Sequence, residues 1–100
     1  MTFYSCDVPS VGACIEYWAN DGWTIETSSA NCQALTDNTG ALTFFEFEGC
    51  DSSNAVGNCL MPANETNLYR TTVYYGPTYQ PFSGSVESDC TGNNGSYTAQ

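Results

Sequence analysis

Six cysteines are the residues of this 100-residue chain with the most evident chemistry. An even number of cysteines in so short a chain is typical of a secreted protein held together by disulfides, so we expect three bonds. Zinc is disfavoured, because the sequence has no histidine and no two cysteines at the usual spacing of about two to four residues. We therefore expect neither a metal ion nor a cofactor. The cysteines are Cys6, Cys14, Cys32, Cys50, Cys59 and Cys90.

The shortest separations along the chain favour the pairs Cys6–Cys14 and Cys50–Cys59, which leaves Cys32–Cys90 as the third. Each disulfide is expected to add roughly 2–4 kcal/mol to the free energy of unfolding by restricting the unfolded chain. A typical domain has a net stability of only about 5–15 kcal/mol. Because so short a chain buries a small core, the disulfides are expected to decide whether it folds.

Two glutamates are the only candidates for catalysis. Without histidine or a free thiol, the chain cannot build a Ser-His-Asp or Cys-His site. Glu46 and Glu48 share one face of a predicted strand, at roughly 6.5–7 Å along the backbone, while retaining glycosidases hold two carboxyl groups about 5–5.5 Å apart. Such catalysis also needs an acid of raised pKa in a cleft, which a small β domain rarely encloses. We therefore predict that Glu46 and Glu48 are solvated strand residues and that the protein is not an enzyme.

The charge balance restricts the partners. Eleven acidic side chains face a single basic one, Arg70, and the formal net charge is -10. Nucleic acid and anionic membranes would be repelled, whereas basic partners would be attracted. We expect a monomer that binds an extracellular protein or glycan.

The aromatic side chains divide between core and surface. Trp23, Phe45 and Phe47 are expected in the core. The residues around a Gly-Pro turn are expected to be exposed and to form a contact patch for a sugar face or a protein. This patch consists of Tyr75, Tyr79 and Phe82.

Short strands dominate the predicted secondary structure. The only predicted helix spans one or two turns over residues 30–35 and is capped by Ser28 or Ser29. Residues 91–100 are polar and rich in Gly, Asn and Ser, so we expect a frayed tail after a single domain over 1–90. Aromatic and β-branched runs predict strands over 2–5, 14–18, 23–27, 41–48, 68–70 and 72–75, with a last one near Val86.

Further features favour secretion. The segment that begins with Met1 has neither the charges nor the apolar run of a signal peptide, so we expect the sequence to start at a mature chain. Asn64 and Asn94 begin the triplets Asn-Glu-Thr and Asn-Gly-Ser, which are acceptors for N-glycosylation. No segment approaches the length of a membrane-spanning helix.

The chain also repeats itself. Residues 6–15 and 50–60 both begin with Cys-Asp, continue through a short turn and end in Val-Gly-x-Cys followed by an aliphatic residue. Residues 72–86 start in a similar way, with an aromatic strand and a turn. The repetition predicts a stack of β-hairpin units.

An aromatic strand followed by a turn and an aromatic-x-Gly step resembles the Greek-key motif of the βγ-crystallins, most closely over residues 75–84 with Phe82-Ser83-Gly84. In size and cysteine content the chain also resembles small secreted fungal proteins, including killer toxins and plant-directed effectors. These resemblances imply a mostly β, two-sheet sandwich of Greek-key type and an extracellular effector or toxin role. Residues 37–42 begin like a crystallin calcium motif but lack its Ser/Thr-Ser ending, so no calcium site is expected.

A second resemblance implies a different architecture, the α/β sandwich of the KP6 killer-toxin type. In that case a helix over residues 29–36 would pack on a sheet that contains residues 41–48, and a second helix would form near 64–69.

Three functions follow from these expectations. The first is a secreted, non-enzymatic effector or toxin-like protein that binds a host or competitor target. The second is a carbohydrate-binding module. The third is a glycosidase that uses the carboxyl groups of Glu46 and Glu48.

Overall fold

The computed structural model describes residues 2–62 and 70–100 and contains one six-stranded antiparallel sheet. The strands lie in the order β3-β1-β2-β5-β4-β6. The elements in chain order are β1 (Phe3–Val8), β2 (Ala13–Trp18), a 3-10 turn (Ala19–Asp21), α1 (Ile25–Thr39), β3 (Phe44–Glu46), β4 (Gly57–Met61), β5 (Thr71–Tyr75), α2 (Val86–Thr91) and β6 (Ser96–Ala99).

Both helices lie on the same face of the sheet. One row of directly opposite residues crosses all six strands, and directly opposite residues point to the same face. This row contains the two cysteines that are bonded to the helices, Cys6 to α1 and Cys59 to α2. The row runs through Phe45, Cys6, Ile15, Val73, Cys59 and Tyr97.

The mostly β class is thus confirmed, with a single sheet in the described residues where two were expected. The layer that covers the sheet is helical, which agrees with the helix-on-sheet arrangement of the second expectation over residues 29–36. The second helix of that expectation, near 64–69, falls outside the described residues.

The two halves of the chain share one topology. Each half has the order ββαβ, and its first strand is flanked by the other two, giving β3-β1-β2 in one half and β6-β4-β5 in the other. The halves meet where β2 pairs with β5, and Ile15 lies opposite Val73 at the centre of this pairing. An approximate two-fold rotation about this point exchanges the halves.

Side chains at equivalent positions repeat the same contacts. Cys6–Cys32 and Cys59–Cys90 each join a first strand to the helix of its half. The rings of Tyr17 and Trp23 are 4.7 Å apart at an angle of 58°, and those of Tyr75 and Tyr79 are 4.7 Å apart at 57°. The duplication in the structure relates Cys6 to Cys59, whereas the repeat predicted from the sequence matched Cys6 to Cys50, so the predicted alignment is wrong.

The helix α1 is much longer than its prediction. Thr24 caps it, because its hydroxyl accepts from the Thr27 N–H while the Thr27 hydroxyl accepts from the Thr24 N–H. It ends at Gly40, whose φ of 76° suits glycine. The predicted strand over 23–27 is wrong because this reciprocal cap starts a helix. The strand expected near Val86 is also wrong, since the hydroxyl of Ser85 accepts from the Ser88 N–H and caps α2.

The disulfide pairs are Cys6–Cys32, Cys14–Cys50 and Cys59–Cys90. The expected pairing is wrong because it was based on short separations along the chain, and cysteines that are close in the sequence lie on opposite faces of the sheet. Cys14 lies opposite Asp7, one residue out of step with Cys6, so the side chains of Cys6 and Cys14 point to opposite faces. Cys50, bonded to Cys14, lies on that second face, whereas Cys59 points to the helices.

The C-terminal residues belong to the sheet, where composition had predicted a frayed tail after residue 90. Ser96–Ala99 forms β6 along β4, with Tyr97 opposite Cys59 on the helix face. Tyr97 is the one residue of β6 that is not exposed. Residues 96–99 therefore belong to the sheet.

The aromatic core agrees only in part with expectation. Trp23 is buried, as predicted, and Phe45 is half-buried against the same cluster. Phe47 is 71% exposed, so its assignment to the core is wrong. The reason is that β3 ends at Glu46, and the alternation expected over 41–48 stops there.

Candidate functional site

An open pocket of about 530 Å³ lies on the sheet face opposite the helices. It is bounded by β1, β2, β3 and the chain that follows β3. We call it the acidic pocket, because four of its residues are carboxylic acids. Its lining comprises Ser5, Asp7, Cys14, Glu46, Glu48, Gly49, Cys50 and Asp51.

Strand register brings these residues together. Asp7 lies opposite both Cys14 on β2 and Phe44 on β3, and Glu46 lies opposite Ser5. These five residues therefore share the face of the sheet that points away from the helices. They are Ser5, Asp7, Cys14, Phe44 and Glu46. The segment after β3 folds back over this face and supplies the remaining residues of the pocket.

A buried glutamate fixes the returning segment. The Cys50 N–H donates to Oε2 of Glu16 at 3.0 Å, and Glu16 is only 7% exposed. Burial raises the pKa of Glu16, while the hydrogen bonds from Cys50 and Tyr74 oppose the rise. A side chain at Gly49 would place its Cβ 2.6 Å from Oε2 of Glu16, so glycine allows this close approach.

Glu46 and Glu48 are both exposed, as the sequence predicted. Their side chains are hydrogen-bonded to each other. This hydrogen bond, together with the negative charges of Glu48 and Asp7, raises the pKa of Glu46. Glu46 therefore holds a proton more readily than an isolated glutamate does.

The pocket's negative charge has no basic side chain of the same chain to balance it. Arg70 is the only basic side chain in the sequence, and its Nε lies 3.3 Å from Asp21. Its guanidinium also lies over the ring of Trp18, at 5.3 Å from the centroid. Hydrogen bonds from Ser53 lower the pKa of Asp51.

An apolar side chain on β3 borders the pocket. Phe44 is 48% exposed and lies opposite Asp7, so it shares the face of the sheet with the pocket. Because β3 is an outermost strand of the sheet, this ring is open to a partner. The site thus combines carboxylates with exposed hydrocarbon, which composition alone did not locate.

The predicted aromatic patch is not assembled as a surface. Tyr75 is buried at 6% exposure, and Tyr79 is half-buried against it. Only Phe82 is open, at 88% exposure. The aromatic pair of Tyr75 and Tyr79 is the second copy of the core pair Tyr17 and Trp23, and this explains why it is inside.

Asp89 is a structural residue that the sequence pattern did not reveal. It is buried, and it accepts hydrogen bonds from the Tyr79 hydroxyl at 2.7 Å, the Phe82 N–H at 2.9 Å and the Ser83 N–H at 2.7 Å. These bonds fix the loop that displays Phe82. The hydrogen bond from Tyr79, aided by those from Phe82 and Ser83, lowers the pKa of Asp89 to about 2.

An Asp89→Asn variant is expected to lose stability selectively above pH 4. A carboxyl group whose pKa is lowered by folding stabilises the protein above its ordinary pKa, and this contribution disappears as the pH falls toward about 2. The thermal midpoints of wild type and variant should therefore differ most at neutral pH and converge in acid. The exposed Asp37→Asn serves as the control. A constant difference from pH 7 to pH 2 would contradict the assignment.

The remaining predicted sites are only partly described. Asn94 is exposed at the turn between α2 and β6, and its glycosylation stays a prediction. Asn64 falls outside the described residues. Within residues 2–62 and 70–100, no three or more His, Cys, Asp or Glu side chains are grouped to hold a metal ion. Over the same residues, no helix has the length and apolar character needed to cross a membrane.

By its fold, the protein is a duplicated ββαβ unit in two layers, cross-linked by three disulfides. Comparison of the chain with protein-family models, with curated proteins and with solved structures gives no match.

Proposed function

We propose that the protein is a secreted, non-enzymatic effector or toxin-like protein, and that its acidic pocket binds positively charged side chains of an extracellular partner protein. The supporting observation is a pocket with four carboxylic acids in a chain whose one basic side chain is engaged elsewhere. A partner that supplies positive charge would relieve the repulsion between these groups. The net charge of -10 would also accelerate its approach.

Arginine fits this pocket better than lysine. A guanidinium group donates two parallel hydrogen bonds to a carboxylate, and its flat face packs on aromatic rings. Glu46 and Asp7 offer carboxylates, and Phe44 offers a half-exposed ring on the same face. The preferred partner segment therefore presents arginine next to apolar residues.

The disulfides support an extracellular location. Such bonds form and persist in oxidising compartments, and they are rare in the reducing cytosol. All six cysteines are paired, two of the pairs inside the contact between helix and sheet. Secretion and the effector or toxin role are parts of the proposal.

Binding is favoured over hydrolysis by the exposure of the glutamate pair. Glu46 and Glu48 are both exposed in an open pocket, whereas the catalytic acid of a glycosidase needs a cleft that encloses it. We therefore propose no enzymatic activity.

A carbohydrate-binding module is the second candidate. The half-exposed ring of Phe44 beside the carboxylates of Asp7 and Glu46 is the kind of surface on which a sugar stacks and donates hydrogen bonds. A glycan array with wild type and Phe44→Ala separates the two candidates. Phe44-dependent binding of uncharged glycans would favour the module.

The proposal is tested with two synthetic pentapeptides, Arg-Val-Arg-Val-Arg and Glu-Val-Glu-Val-Glu. We expect calorimetry at low salt to detect binding of the arginine peptide alone. The double variant Glu46→Gln/Glu48→Gln should weaken it about tenfold, because two charge-assisted contacts are lost. Glu26→Gln/Asp37→Asn, which removes the same number of charges from α1 across the sheet, should leave the affinity unchanged. Equal weakening by both variants would show net charge rather than a site.

A further inference from the structure

The Cys14–Cys50 disulfide differs from the other two in its accessibility. The cysteines of the other two bonds are at most 2% exposed. Cys14 and Cys50 are partly exposed, and both line the acidic pocket. Cys14 also borders a neighbouring depression of about 240 Å³. A reagent in solution can therefore reach this bond while the sheet and helices stay folded.

The Cys14–Cys50 disulfide also has no equivalent in the second half of the duplicated fold. The two-fold rotation that exchanges Ile15 and Val73 places Thr72 at the position equivalent to Cys14. Cys6–Cys32 and Cys59–Cys90, by contrast, are equivalent and tie each helix to the sheet. Breaking Cys14–Cys50 leaves both of these ties in place.

We propose that Cys14–Cys50 is an exchangeable disulfide and that it reacts preferentially with positively charged thiols, such as a cysteine flanked by basic residues on a partner protein. The exchange depends on the position of the bond and on the charges around it. It does not require the binding of an arginine-rich segment, so either proposal can fail without the other.

The reaction is a thiol–disulfide exchange. The thiolate of the incoming molecule attacks one sulfur of Cys14–Cys50, the S–S bond breaks, and the electron pair leaves on the other sulfur as a thiolate. This first step gives a mixed disulfide. A second incoming thiol then attacks the mixed disulfide, releases the protein with two thiol groups and forms a disulfide between the two incoming sulfurs, so that two thiols are oxidised for each bond reduced.

The carboxylates select the attacking thiol by charge. Every thiolate that approaches the bond meets the negative charges of Asp7, Glu48 and Asp51. Repulsion is greatest for a thiol with further negative charges, and it is offset when an ammonium or guanidinium group lies next to the sulfur. The pocket therefore disfavours glutathione, which is anionic, and favours a cationic thiol.

Opening the bond changes the face that it covers. Cys50 is held to the sheet by its bond to Cys14 and by its N–H to Oε2 of Glu16. Once the covalent link is lost, the segment can lift and water can reach Glu16. Exchange would thus expose a buried carboxylate and widen the acidic pocket.

The test follows the release of thiols from the folded protein with cysteamine, which is cationic, and with glutathione. Rates are compared at equal thiolate concentration, and released cysteines are alkylated and located by mass spectrometry. We expect Cys14 and Cys50 to be labelled first, about tenfold faster with cysteamine at ~10 mM ionic strength. At about 1 M salt, where the screening length is ~3 Å, the two rates should approach each other.

Two variants assign the effect to the pocket. Asp7→Asn/Asp51→Asn should raise the rate with glutathione and reduce the preference for cysteamine, whereas Glu26→Gln/Asp37→Asn, with the same charge change on α1, should alter neither. Circular dichroism of the alkylated product should retain the sheet and helix signals. Equal rates for both thiols at low salt, or labelling of all six cysteines together, would overturn the proposal.

Discussion

Removing the Cys59–Cys90 disulfide, in Cys59→Ala/Cys90→Ala, is expected to lower the free energy of unfolding by about 3–4 kcal/mol. The bond closes a loop with a sequence separation of 31, which sets the entropy it removes from the unfolded chain. It also ties the short helix α2 to β4. Urea denaturation followed by circular dichroism measures the change.

The duplicated frame supplies the matched control for this disulfide. Cys6→Ala/Cys32→Ala removes the equivalent bond, whose separation is 26, and should have a closely similar cost. A loss below about 1 kcal/mol in either variant would contradict the expected role of these bonds, because it would show that the helices stay on the sheet without covalent help.

Trp23→Ala is expected to destabilise the protein by about 3–5 kcal/mol, the usual cost of deleting a buried aromatic side chain. The Trp23 ring packs on Tyr17 with centroids 4.7 Å apart, and its Nε1–H donates to the carbonyl oxygen of Arg70 at 2.9 Å. The side chain therefore joins β2, α1 and the start of β5. Thermal and urea unfolding measure the loss.

Trp23→Phe separates the packing from the hydrogen bond. It keeps a ring against Tyr17 and removes the indole N–H that donates to Arg70, so a cost of about 1–2 kcal/mol is expected. If the Phe and Ala variants were equally unstable, the hydrogen bond rather than the stacked rings would dominate at this position.

Local chemistry in the sequence predicted part of the fold. The predicted helix over 30–35 lies inside α1, and the strands predicted around Cys14 and Val73 are present as β2 and β5. The longer helix had a visible signal, since Thr24 and Thr27 have the three-residue spacing of a reciprocal cap. The aromatic and β-branched residues of 23–27 outweighed that signal and led to a strand.

Disulfide pairing could not be derived from separations along the chain. The decisive fact is that Cys6 and Cys14 point to opposite faces of the sheet, and this depends on the register between β1 and β2. The repeat predicted from the sequence aligned the wrong cysteines, because it relied on the residue that follows each cysteine. Cys6 and Cys50 are both followed by aspartate, whereas the equivalent Cys59 is followed by Leu60.

The candidate site was also found only in part. Glu46 and Glu48 were recognised as neighbours, and the structure joins them by a hydrogen bond. Asp7 and Asp51 lie in the pocket with these glutamates. They belong to the two Cys-Asp dipeptides on which the wrong repeat alignment was based. That convergence depends on the Cys14–Cys50 bond, so it could not be foreseen while the pairing was unknown.

We propose that the acidic pocket is the binding surface of the protein. The most direct test is an NMR titration of the oxidised protein with Arg-Val-Arg-Val-Arg, following backbone amide shifts. We predict shifts concentrated at Asp7, Glu46 and Cys50, with none at Phe82. Shifts centred on Phe82, or spread evenly over the acidic surface, would contradict the claim.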